Sequence, residues 1–339
     1  FVVNDLGEII YQASSFKEEV FHLDIDLKTN KQNDKSPLII RPKTIELKDV
    51  ESKASLSKNE SIYSALKLGL KDYVRKNKFT KVLIGISGGI DSALTAAICV
   101  DALGAENVIG VAMPSKYNSK DSLDDAIKLS DNLGITLKTI EIEKLVDDFR
   151  ETLTNSLNED LGQITDENIQ SRVRGNILMG LSNQTGAMVV STGNKSEMAV
   201  GYSTLYGDLA GGFALIKDLY KTKVYELSNY INSISDAIPK NIITKEPSAE
   251  LRPNQLDSDS LPDYEVLDKI LNLYIEEDSS SEKIIASGVN PDLVFDVLKK
   301  VDRNEYKRKQ VAPGVKLTQK AFGKDRRMPI TNTYIRQKE

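Results

Sequence analysis

Apolar positions along the chain fall into short runs separated by stretches of helical periodicity. Residues 81–87, K-V-L-I-G-I-S, are β-branched and almost wholly apolar, the pattern of a strand buried on both faces of a parallel sheet. The run stops at Gly88 and Gly89. From Ser92 onward A-L-T-A-A-I-C-V-D-A-L is a strong helix former, with Gly104 placed as a C-terminal cap. This predicts strand, tight glycine turn, helix. Buried-strand patterns recur at 107–113, 136–142 and 187–192, with helical pattern in the intervals. The spacing predicts a helix over 122–132 that stops at Gly134. It predicts another ahead of the first strand, opened by a Ser57/Glu60 capping box and carrying Ile62, Leu66, Gly69 and Tyr73 on one face. Such alternation implies a doubly wound parallel α/β sheet, whose ligands lie outside the carboxyl ends of the strands at a switch in strand order.

The amino-terminal part differs. Residues 1–27 hold two alternating apolar stretches about a D-x-G turn and then F-H-L-D-I-D-L, predicting a β-hairpin and a further strand. A hairpin alone is marginal in water, so a larger β-containing body is expected around it. Residues 28–56 are polar, include Pro37 and Pro42, and read as a linker to a main domain over 57–339.

With 40% hydrophobic and 28% charged residues the chain has ordinary globular composition. A formal net charge of −5 argues against a general nucleic-acid binder, which needs a basic face to neutralise phosphates. The single cysteine, Cys99, rules out an internal disulfide framework and a CxxC pair, and the single histidine, His22, leaves little for a zinc site. The absence of a long apolar run gives the expectation of no membrane span and a cytoplasmic location.

The glycine turn carries the chemistry. Gly88 and Gly89 let the backbone approach a ligand with free N–H groups, Ser87 and Ser92 add hydroxyls, and the following helix adds its partial positive charge. The expected guest is a phosphate chain. Asp91 beside an anion site implies a cation between the two, and Mg²⁺ suits it. No lysine follows the glycines, so the Walker pattern of ordinary NTPases is absent. A second carboxylate, Glu197, follows the 187–192 run and is expected near the same mouth. Arg172 and Arg174, two apart on one predicted helix, project in different directions and need not share a ligand.

S-G-G-I-D-S resembles the phosphate loop of the N-type ATP pyrophosphatases, which implies a Rossmann-like, adenine nucleotide alpha-hydrolase-like fold. It is joined in order by N-I-Q-S-R-V-R-G-N, S-T-G-N-K-S-E, G-Y-S-T-L-Y-G-D, K-E-P-S-A-E-L-R-P-N-Q, E-Y-K-R-K-Q-V-A-P-G-V-K and F-G-K-D-R-R-M-P-I-T-N. Together these resemble the NAD synthetases, in particular the synthetase domain of the glutamine-dependent type. Residues 1–27 resemble the last strands of that type's nitrilase-like glutaminase domain, a remnant of a larger domain. The resemblance implies ATP binding at Gly85, Ile86, Ser87, Gly88, Gly89, Ile90, Asp91, Ser92 and Thr192, with Lys221 and Ser248 near the phosphates. It implies deamido-NAD binding at Asn168, Arg172, Glu197, Tyr202, Ser203, Thr204, Leu205, Asp208 and Lys307, and Mg²⁺ at Asp91 and Glu197. Leu205 departs from the lysine that many ammonia-dependent members carry at that place. The implied reaction converts deamido-NAD, ATP and ammonia to NAD, AMP and pyrophosphate through an adenylate, with no covalent protein intermediate. A glutaminase domain is the implied partner, and a homodimer or higher homo-oligomer the implied assembly. The rival readings are another amidotransferase with this loop, such as a GMP synthetase, an RNA-modifying ligase, and a module that senses ATP without turnover.

Overall fold

Each of the four apolar runs contains a strand, but the one at 136–142, expected to be buried, is an edge strand over Thr136–Thr139 and is largely exposed, since one of its sides has no neighbouring strand among the described residues. The computed structural model describes residues 1–3, 7–22, 27–28, 41–42 and 56–331, and the chain divides into two units, 1–64 and 65–339. In the first unit β1 (Val2–Val3) pairs antiparallel with β2 (Ile9–Tyr11), and β3 (Leu27–Lys28) with β4 (Arg41–Pro42). Tyr11 lies with its ring 4.0 Å from that of Phe21 and donates its hydroxyl to Glu19 at 2.6 Å. The expected turn at Asp5, most of the expected third strand and most of the 28–56 linker lie outside the described residues.

The second unit holds β5 (Val82–Gly85), β6 (Val108–Ala112), β7 (Thr136–Thr139), β8 (Met188–Ser191) and β9 (Phe213–Ala214) in one sheet. Their order is β7-β6-β5-β8-β9 and every pairing is parallel. The chain therefore moves outward from β5 through β6 to β7, then returns to the other side of β5 for β8 and β9. Strand order reverses between β5 and β8, which is where a doubly wound sheet opens a crevice. Val82, Leu83 and Ile84 of β5 are fully buried, as expected of a central strand covered on both faces. With two residues, β9 is too short to leave a periodic signal in the sequence.

Twelve α-helices are present among the described residues. They are α1 (Lys58–Lys76), α2 (Ile90–Leu103), α3 (Lys120–Leu133), α4 (Glu143–Leu157), α5 (Gln163–Thr185), α6 (Lys195–Val200), α7 (Lys221–Ile234), α8 (Lys240–Thr244), α9 (Tyr264–Leu271), α10 (Ser281–Ala286), α11 (Pro291–Arg303) and α12 (Glu305–Arg308). The predicted capping box opens α1, with Glu60 N–H donating to Ser57 Oγ at 3.2 Å and Ser57 N–H to Glu60 Oε2 at 3.4 Å. Ser119 caps α3, and Gly134 ends it at φ 65°. Leu83, Val111 and Val189 of the sheet pack with Val146 of α4 and with Ile169 and Val173 of α5, while α2, α3 and α7 pack on the other side.

A second apolar cluster gathers α6, α9 and α11 through Met198, Leu267, Ile270, Val294, Val297 and Leu298. Each such side chain contributes roughly 1.5–3 kcal/mol when fully buried, so α6 is anchored from below by a core of its own. Lys195, the first residue of α6, is fully buried and meets Asp218 at 2.8 Å and Glu276 at 2.6 Å. Its ammonium also donates to Thr318 Oγ1 and to the Lys320 carbonyl at 3.0 Å. A buried charge is tolerable only with such partners, and the result ties α6 to the carboxyl-terminal segment. Among the described residues no helix is long and apolar enough to cross a membrane.

Candidate functional site

The turns leaving β5 and β8 face each other across the reversal in strand order, and a cavity of about 610 Å³ opens there. In the first turn groups expected to stand free for a ligand stabilise the bend instead, because the turn satisfies its own polar groups: Gly89 N–H donates to Ser87 Oγ at 3.2 Å, and Ser92 Oγ donates to the Gly89 carbonyl at 2.9 Å. Gly88 sits at φ 80°, and a Cβ on it would lie 2.2 Å from the Ser122 carbonyl oxygen. Glycine is therefore required twice over, for its backbone conformation and for the close approach of α3. Gly88→Ala is expected to lower the melting temperature and to remove nucleotide binding. A variant that melts with the parent and binds ATP normally contradicts this.

The second turn brings its polar groups to the first. Asn194 caps α6 by accepting from Glu197 N–H at 3.0 Å, while Glu197 Oε2 accepts from Asn194 N–H at 3.2 Å. The free end of the Asn194 amide donates to Asp91 Oδ1 at 2.9 Å. Lys221, at the start of α7 and 3% exposed, forms an ion pair with Asp91 and stands 3.7 Å from Glu197 Oε1. Burial works against the Lys221 ammonium, but Asp91 and Glu197 outweigh it and hold its pKa above the ordinary lysine value. Burial and the neighbouring Asp91 push the Glu197 carboxyl well above its usual range, against the pull of Lys221. Asp257, also buried, accepts from Tyr202 at 3.2 Å and from Tyr264 at 2.8 Å, and the Lys221 ammonium lies 5.2 Å from the centre of the Tyr264 ring.

Farther along the cavity α5, the segment 201–208 and α12 converge. Asn168 Oδ1 accepts from Thr204 Oγ1 at 2.7 Å, and Asp208 Oδ1 accepts from Ser171 Oγ at 3.1 Å and from Thr204 N–H at 2.6 Å. Lys307 donates to the carbonyls of Gly201 at 2.7 Å and Ser203 at 2.8 Å, and burial lowers its pKa. Gly175 lets α5 approach this segment, since a Cβ there would stand 2.8 Å from the Tyr206 carbonyl. All the residues assigned to the two substrates line the cavity except Arg172 and Leu205. Arg172 is exposed and donates to the Leu205 carbonyl at 3.2 Å, and Leu205 packs against the second apolar cluster.

It is Arg174, two residues on, that reaches the cavity. It donates to the Met113 carbonyl and to Asn118 Oδ1, each at 3.1 Å, and burial pushes its pKa down to about 10. Asn194, Asp257, Lys245 and Glu250 also line the cavity or its carboxylate cluster without having been singled out from the sequence. Asn194, Lys245 and Glu250 stand inside quoted motifs, which is the signal that was available. Nothing in the sequence pairs Asp257 with Tyr264.

The donor set suits a hard divalent cation. Among the described residues no three histidine, cysteine or acidic side chains form a metal-binding group, and Asp91 and Glu197 are a pair. A pair is what Mg²⁺ uses when phosphate and water oxygens complete its shell. The Lys221 ammonium lies between the two carboxylates, paired with Asp91 and 3.7 Å from Glu197.

The family model described as NAD synthase matches residues 62–311. A glutamine-dependent NAD(+) synthetase from Aquifex aeolicus is 47% identical over 351 residues, covering 99% of this chain and 62% of the relative. This chain thus spans less than two thirds of that relative's length. A glutamine-dependent NAD+ synthetase from Acinetobacter baumannii, solved in complex with adenosine diphosphate, is 48% identical and superposes with a TM-score of 0.57, covering 83% of this chain and 51% of that one. An NH3-dependent NAD synthetase from Campylobacter jejuni is 29% identical with a TM-score of 0.61, covering 75% of this chain and 96% of that one. With a glycine turn and a cavity at the sheet reversal and a family match across most of its length, this chain belongs to the NAD synthase family.

Proposed function

We propose that this chain is a C–N bond-forming ligase that amidates deamido-NAD to NAD, using ATP for activation and ammonia as the direct nitrogen donor. The observation that carries the reading is the meeting, in one cavity, of the glycine turn, the Asp91–Lys221–Glu197 cluster and the segment held by Asn168 and Lys307. A nicotinate carboxylate resists attack by ammonia. Its oxygen first attacks the ATP α-phosphorus, and pyrophosphate leaves into the 86–92 turn. Ammonia then attacks the acyl carbon of the adenylate, AMP leaves with the bonding electron pair, and the proton shed by nitrogen passes to solvent or a cavity base. Neither step needs a protein nucleophile; backbone amides and Lys221 position the anions and offset developing charge. Bound Mg²⁺, held by Asp91 and Glu197, would neutralise charge on the phosphates.

In this reading residues 57–339 are the synthetase domain, 28–56 a linker and 1–27 the end of a glutaminase domain whose complete form would supply ammonia from glutamine. Homo-oligomeric assembly and a cytoplasmic location belong to the same proposal. The name of the Campylobacter relative supports ammonia as a donor for this fold. Pyrophosphate release that requires added deamido-NAD is the test; release without it, or none with it, points to the rival amidotransferases or to a sensing module.

Lys307→Ala and Asn168→Ala are each expected to raise the KM for deamido-NAD by roughly tenfold, the effect of losing about one strong hydrogen bond, with the KM for ATP little changed. Lys307 now holds two carbonyls of the 201–208 segment. Equal weakening toward both substrates assigns it that structural role alone.

A further inference from the structure

One wall of the cavity is the segment 245–257, which has no regular element before the short turn at Asp257–Asp259. Backbone hydrogen bonds connect it to Asn241 and close it on itself, from Asp257 N–H to the Pro247 carbonyl at 3.0 Å. Side chains join it to the rest of the site. Gln170 donates to the Leu251 carbonyl at 2.9 Å. The strongest junction is Glu250. Its Oε1 accepts from Ser122 Oγ at 2.6 Å, Lys245 Nζ at 3.0 Å and Ser119 Oγ at 3.1 Å, and its Oε2 accepts from Asn118 Nδ2 at 2.8 Å.

Asn118, Ser119 and Ser122 form the entrance of α3, and the Ser122 carbonyl is the group against which Gly88 is packed. Lys245 of the same segment also donates to Ser119 Oγ at 3.4 Å and to Ser122 Oγ, and the Glu250 carboxylate, which accepts from Lys245 and from three α3-entrance side chains together, joins the outer wall to the neighbour of the glycine turn. Glu250 does this at φ 49°, a backbone conformation that L side chains rarely adopt. Burial raises its carboxyl, but the hydrogen bonds from Ser122, Asn118 and Lys245 prevail and hold it below the usual range. It is ionised at neutral pH, and its four bonds are charge-assisted.

We propose that Glu250 is a positioning residue, a latch whose carboxylate holds the 245–257 wall against the entrance of α3 and keeps water from the activated intermediate. The inference rests on the reaction proposed above. With the latch lost, water reaches the acyl carbon and its oxygen bonds there. The C–O bond to phosphate breaks, AMP leaves with the electron pair, water's two protons pass to solvent, and deamido-NAD is regenerated. ATP is then consumed without NAD being formed.

The experiment measures AMP and NAD in one reaction, with saturating ammonium, for the parent, Glu250→Ala and Glu250→Gln. The parent is expected to make AMP in only slight excess over NAD, a small unproductive share. Both variants are expected to make AMP in larger excess, with the unproductive share rising roughly tenfold in the alanine variant, the factor expected for a lost charged hydrogen bond, and by less in the glutamine variant. A residue that only supports the fold lowers both products together and leaves their ratio alone. The parental ratio of AMP to NAD in both variants overturns the latch. If Glu250→Ala does not fold, the near-isosteric Glu250→Gln decides the question. A parent that forms no AMP in response to deamido-NAD overturns the underlying reaction, which separates that failure from failure of the latch.

Discussion

Asp91→Asn is expected to lower pyrophosphate release by on the order of a hundredfold or more, the scale seen when one charge-stabilising group is removed from a reaction centre, while the protein stays folded. Asp91 has two partners. Asn194 donates to one oxygen and the Lys221 ammonium meets the other. The amide that replaces it has the same shape, so no cavity is created in the core. It lacks the negative charge, so the site loses half of the pair that fits Mg²⁺ and Lys221 is left with Glu197 at 3.7 Å. A buried ammonium deprived of its nearer partner is unfavourable by about 1–3 kcal/mol, and a modest fall in melting temperature accompanies the kinetic loss. Turnover is measured across a Mg²⁺ titration, with circular dichroism as the control for folding. Parental turnover at every Mg²⁺ concentration removes the metal assignment.

The nitrogen donor gives an all-or-none contrast. A glutaminase of the nitrilase-like kind attacks glutamine with a cysteine thiolate. The one cysteine of this chain, Cys99, lies inside α2, is fully buried, and has its thiol pKa pushed far up by burial. A group so placed neither ionises near neutral pH nor meets a substrate. The 339-residue chain assayed alone is expected to form NAD with ammonium and essentially none with glutamine in ammonia-free buffer. Cys99→Ala keeps the ammonium-dependent activity, since the substitution trims only a small buried side chain. Glutamine-supported synthesis that disappears in Cys99→Ala refutes both the donor assignment and the placement of Cys99.

Much of this was legible in the residues. Strand β5 and helix α2 are dense in apolar side chains and bounded by glycines, and local backbone preference and burial act on them in the same direction. The same agreement holds for β6, β8, the Ser57/Glu60 cap and the Gly134 stop, while β7, at the sheet edge, is a strand that is largely exposed rather than buried. The glycine turn was legible too, because its bend is made by contiguous backbone and by hydroxyls within a few residues. Two-residue β9, by contrast, has no period of its own and exists because Val190 and Ser191 offer an open edge.

What the tertiary structure alone decided are the groups that act across long separations in the chain. Arg172 and Arg174 were equivalent by type and spacing, and it is the packing of α5 that half-buries Arg174 beside Asn118 and leaves Arg172 in solvent. Leu205 sits within a motif, yet its side chain turns to the apolar cluster, because an aliphatic group gains more there than at a polar cavity wall. Lys195 and Lys221 look alike in sequence; the first is neutralised within a buried core and the second reaches the site carboxylates. Glu250 finds three of its four donors about 130 residues away in the chain. A buried charge is defined by the partners that compensate it, and chain folding chooses those partners.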